Sequence, residues 1–143
     1  MTRFACLMLF VLPAVVLAED KKPDPKADLA ALKGKWKVAA VTFDGNKQKV
    51  AEDRTIEIDG TGFTAYTGDK KGRTLTFTID SAASPKHIDL TLKEQDQKAV
   101  GLYVLDGDKL TICYGEPGAT RPKKLESKSG EKAFLLVLER VKP

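Results

Sequence analysis

Beyond Gly34 the apolar residues of this chain recur at every second position, and tight-turn residues break the pattern at short intervals. Between residues 73 and 79, Leu75, Phe77 and Ile79 alternate with Thr74, Thr76 and Thr78. Large apolar side chains inward and threonine outward are what a half-buried antiparallel strand requires. The same period marks strands at residues 35–43, 54–59, 63–67, 86–93, 98–105, 109–114 and 133–141. Asp44-Gly45-Asn46, Asp59-Gly60, Gly68-Asp69 and Asp106-Gly107 supply turns. No helical pattern separates the strands, so a parallel sheet is excluded. A meander of short strands hides its edges best by closing on itself. The expected fold is therefore an all-β, up-and-down antiparallel barrel of about eight strands.

One register has two solutions. A two-residue turn at Asp106-Gly107 pairs Tyr103 with Leu110 and Gly101 with Ile112. A three-residue loop puts Leu102 opposite Leu110 and swaps the buried face. The two-residue turn suits Asp-Gly and is preferred. Val100, Leu102 and Val104 then face outward as an apolar stripe. The inward set becomes Val38, Ile56, Ile58, Phe63, Leu75, Phe77, Ile79, Ile88, Leu90, Leu92, Tyr103, Leu110, Ile112, Leu136 and Leu138. Ala40, Ala65 and Gly101 are its few small members. Residues 115–132 form a long loop, with room for a short edge strand at 124–127.

The N-terminus reads differently. Arg3, an apolar run from Phe4 to Leu17, and Ala18 at the cleavage edge have the layout of a secretory signal peptide. The expected organisation is a signal peptide over residues 1–18, a flexible linker over 19–24 and a barrel domain over 25–143. The destination is periplasmic or extracellular, with no membrane span after cleavage. Cleavage removes Cys6 and leaves Cys113 alone, so no internal disulfide is available. Stability must come from the core, for which 42% hydrophobic residues suffice. A short helix follows the linker. Asp24 is its N-cap, Pro25 its first residue, Leu29 and Leu32 its apolar face, and Gly34 its left-handed C-terminal cap.

Little chemistry accompanies this fold. Basic and acidic residues interleave to a formal charge of only +4, so no nucleic-acid partner is expected. His87 is the one histidine and is out of phase with Ile88 and Leu90, which makes it a surface residue. A lone imidazole builds neither a metal centre nor a Ser–His–Asp triad here, and no cofactor is expected. Asp106 and Asp108 flank the hairpin glycine as turn residues. Cys113 reads as a packing residue with no activating neighbour in sequence. Gly118, Arg121 and Pro122 fit either a rim epitope or a turn. No catalytic residue is assigned, and the domain is read as non-enzymatic.

Two elements carry a resemblance. Gly34-Lys35-Trp36 opens the first strand and Leu138-Glu139-Arg140 ends the last. Gly-x-Trp with a late arginine resembles the lipocalin-like barrels, in which the tryptophan packs at the closed end under the arginine. A guanidinium over an indole is a favourable cation–π contact. The blocks LKGKWKV, GLYVLDGDKLTICYGEPGATRP and FLLVLERV also resemble a secreted, lipocalin-like domain family expanded in planctomycete bacteria. That family is functionally uncharacterised, so the resemblance implies a fold and an exported location but no catalytic residues. Gly34, Trp36 and Arg140 are its structural signature here.

The interior decides the functional expectation. A bulky, apolar lining suits a filled core or a narrow apolar cavity. If a ligand binds, it is small and hydrophobic, and Ala40, Phe63, Ala65, Phe77, Tyr103 and Leu136 line its site. The alternative is a filled barrel acting as a structural or interaction module of the cell envelope through the Val100-Leu102-Val104 stripe.

Overall fold

A computed structural model describes residues 24–92 and 94–142. The expected signal peptide lies outside the described residues, as does the linker up to Asp24. The described residues form one helix, α1 (Pro25–Leu32), and nine strands. These are β1 (Gly34–Phe43), β2 (Asn46–Gln48), β3 (Arg54–Asp59), β4 (Gly62–Thr67), β5 (Lys70–Asp80), β6 (Lys86–Leu92), β7 (Gln97–Asp106), β8 (Lys109–Gly115) and β9 (Ala133–Arg140).

Strands β3 to β9 pair in sequence order, all antiparallel, and β9 returns to pair with β1. The result is the closed eight-stranded up-and-down barrel that the alternation implies. β2 is an addition. It pairs only with the end of β1, through Val41, Thr42 and Phe43, beyond the stretch that β3 covers. The Asp44-Gly45 turn before it has positive φ at both residues, as a two-residue type I′ hairpin does. Residues 124–127 form no strand; they belong to the long loop.

The β7–β8 hairpin corrects the expected register. Asp106 pairs with Lys109, so the loop is Gly107-Asp108. Gly107 takes φ +58°, matching the glycine that a type II′ turn needs first. Tyr103 therefore faces Ile112, Gly101 faces Tyr114 and Leu105 faces Leu110. The slip is two residues, so the inward face is the expected one.

Strand β1 holds a second correction. Val38 pairs with Leu138, but Ala40 pairs with Val137, so Ala39 is an extra residue. Such a bulge moves the following residues to opposite faces. Val41, not Ala40, then lies opposite inward Leu136. Ala40 leaves the interior.

One end of the barrel is sealed. Leu32, Trp36, Phe77, Tyr103, Leu110, Ile112 and Leu138 are fully buried there. Burying an aliphatic or phenyl side chain of this size contributes roughly 1.5–3 kcal/mol. Helix α1 closes this end, and at eight residues it needs tertiary contacts to persist. Asp24 caps its N-terminus by accepting from the Lys26 amide at 2.9 Å. Its last carbonyls, which have no partners within the helix, are met from the barrel. Trp36 Nε1 donates to Leu32 O at 2.9 Å, and Arg140 donates to Ala31 O at 2.6 Å and to Lys33 O at 3.0 Å. The helix is capped at Lys33, and Gly34 is not the expected left-handed cap: it starts β1 at φ +137°, with Arg140 Nη1 3.1 Å from where its Cβ would stand, both of which favour glycine.

Candidate functional site

The end opposite the helix is hollow. A cavity of about 930 Å³ runs inward from this end and opens to solvent. Strand ends set its position, because alternate strands begin or finish there. Val38, Ile56, Phe63, Ala65, Leu75, Leu90, Ala99 and Leu136 form the deeper wall. Val41 and Val50 continue it outward. Apart from Phe63 these residues are aliphatic or small, whereas the sealed end holds Trp36, Phe77 and Tyr103. That difference in side-chain volume leaves the space.

Aromatic rings shape one side of the cavity near its mouth. The Phe134 centroid is 4.3 Å from Phe43 and 5.1 Å from Tyr114, the latter pair stacked. Burial pushes the Tyr114 hydroxyl up to about 12, so it keeps its proton well above neutral pH. The rim is polar: Gln48, Lys49, Arg54, Arg73, Gln95, Gln97 and Glu116.

The expected lining residues divide. Phe63, Ala65 and Leu136 are on the cavity wall. Phe77 and Tyr103 are not; they belong to the packed core at the sealed end. The Tyr103 hydroxyl donates to Asp28 Oδ2 at 2.8 Å, beside Lys86 Nζ at 2.6 Å, and so fastens the helix. Buried Ser81 lies by this carboxylate, its hydroxyl outside hydrogen-bond geometry. Ala40 is displaced by the bulge. Arg54 and Arg73 escaped the sequence reading, yet a signal was present. Arg54 is in phase with inward Ile56 and Ile58, and Arg73 with Leu75 and Phe77. Tyr114 and Phe134 likewise continue the inward series of β8 and β9.

The signature residues meet at the sealed end. The Arg140 guanidinium carbon is 4.2 Å from the Trp36 ring centroid, and the two residues are cross-strand partners. Asp108 faces the same arginine, 3.4 Å from its Nε, and its carbonyl accepts from the Arg140 amide at 2.7 Å. Asp108 thus orients Arg140 besides shaping the turn.

The long loop covers the outer face of the barrel. Arg121 Nη1 donates to Gly101 O at 2.7 Å and lies 2.8 Å from Asp89 Oδ1. Burial alone would raise the Asp89 pKa, but Arg121 and Lys98 outweigh it and hold the carboxyl below its usual range. Gly118 N donates to Lys98 O. Leu102 and its cross-strand partner Cys113 are buried on this outer face. The expected apolar stripe is therefore covered at its centre; only Val104 is exposed, at 41%. The Cys113 thiol is 3.4 Å from Glu126 O, and burial pushes its pKa up. His87 is half-buried opposite Leu102.

Among the described residues no three His, Cys, Asp or Glu side chains gather to hold a metal ion. No described helix is long and apolar enough to cross a membrane. Compared with protein-family models, curated proteins and solved structures, the chain matches none.

Proposed function

We propose that the protein is an exported, non-enzymatic barrel of the lipocalin-like type that holds a small hydrophobic ligand. The observation that carries this reading is the cavity of about 930 Å³, apolar in its depth, open at one end and sealed at the other. Its size falls within the about 300–1,000 Å³ of small-molecule sites. Phe63, Ala65 and Leu136 are the earlier candidates that fit this role, joined by Val41, Leu90 and Phe134. The N-terminal charge and apolar run support export.

The envelope-module alternative rested on a filled interior and an exposed apolar stripe. The cavity and the covered Leu102 weaken both motives. Native mass spectrometry of freshly purified protein tests the ligand reading, together with uptake of the neutral dye Nile red. A retained small molecule or a saturable one-to-one dye signal is expected. The absence of both would overturn it.

A further inference from the structure

We infer that the ligand of this cavity is a single-chain amphiphile with an acidic head, its alkyl chain in the barrel and its carboxylate at the mouth. The inference rests on the ligand-binding reading and adds the chemistry of the head group. Three cations border the opening: Lys49, Arg54 and Arg73. Among the described residues Glu116 is the sole acidic side chain on the cavity lining.

The cations at the mouth are uncommitted. Among the described residues none of the three forms an ion pair, whereas Lys86, Lys98, Arg121 and Arg140 are all matched with carboxylates. Arg54 has only a hydrogen bond to Thr67 Oγ1, at 3.2 Å, which leaves other guanidinium donors available.

Their placement along the strands matters. Arg54 opens β3 two residues before Ile56, and Arg73 stands two residues before Leu75, where β5 bulges with one extra residue against Ala65; all four line the cavity, the arginines on the side of the mouth. A polar head at the arginines thus continues into an apolar path. Cations at the entrance of a low-dielectric cleft also focus the field and attract anions. A planar guanidinium matches a carboxylate with paired donors. Deeper in the cavity the lining is apolar, so a second charge on the ligand would be stranded there.

Competition against bound Nile red with dodecanoate, 1-dodecanol and dodecylamine, each below its aggregation limit, tests this at neutral pH. The three share one chain length and differ in head charge. Dodecanoate is expected to compete about tenfold more tightly than dodecanol, and dodecylamine most weakly. The acid-to-alcohol ratio should shrink with added salt. It should approach one in an Arg54→Gln/Arg73→Gln variant whose fold is verified by circular dichroism. Equal competition by acid and alcohol in the native chain would overturn the head-group inference and leave the cavity reading standing. Failure of all three to compete would overturn both.

Discussion

Arg140 stacks its guanidinium 4.2 Å from the Trp36 ring while donating to the carbonyls of Ala31 and Lys33. One side chain thus joins the last strand, the first strand and the helix end. The cation also sits where the helix dipole is negative. Trp36→Ala is expected to cost about 3–5 kcal/mol in urea unfolding. Arg140→Ala should cost less, and the double variant should fall short of the sum by about 0.5–3 kcal/mol because the two side chains share a contact. Additive losses would mean that they act independently.

The Asp28 carboxyl sets an acid dependence. Burial alone would raise its pKa, but hydrogen bonds from Lys86 and Tyr103 outweigh that and hold it below the usual carboxylate range. A carboxyl depressed in the folded state stabilises the fold above its unfolded pKa, about 3.9. That contribution is lost as pH falls through the unfolded value and then the folded one. Unfolding midpoints measured from pH 6 down to pH 2.5 should therefore drop. Asp28→Asn should flatten the drop in part, since Asp89 behaves in the same sense. An unchanged acid slope would remove Asp28 from this role.

Two neighbours on β7 separate covered from exposed surface. Leu102 is 2% exposed beneath the long loop, and Val104 is 41% exposed. Leu102→Asp buries an unpaired charge and should destabilise by about 3 kcal/mol or more. Val104→Asp should stay within about 0.5 kcal/mol. Similar small effects on the urea midpoint would show that the loop does not cover Leu102 in solution.

Cys113 shares that cover. Its thiol is buried and its pKa raised, so little reactive thiolate is present at neutral pH. Reaction with an aromatic disulfide reagent should be slow in the native protein and fast in urea. Equal rates would contradict the packing seen around Glu126.

The barrel itself was legible because its signal is local. Leu75-Phe77-Ile79 and their threonines report one strand, and each turn glycine reports its end. The faces were harder, because one added residue reverses them. Ala39 does this in β1, sending Ala40 outward and Val41 inward. At Leu102 the alternation gave the correct side, but burial there depends on a loop distant in sequence, anchored by Arg121. The cavity depends on how side-chain volume is shared between two ends, and that needs every register at once. Arg54 and Arg73 are hard to place from sequence, because a charge close to a turn reads as solvent-facing although both are in phase with inward residues.

Methyl-resolved NMR during titration with dodecanoate tests the central claim, a barrel hollow at one end and packed at the other. Saturable shifts are expected at Val41, Val50, Leu90, Leu92 and Leu136, which line the cavity. Leu32, Leu110, Ile112 and Leu138, buried at the helix end, should stay in place. Shifts confined to Leu102 and Val104 on the outer face, or none at all, would contradict the account.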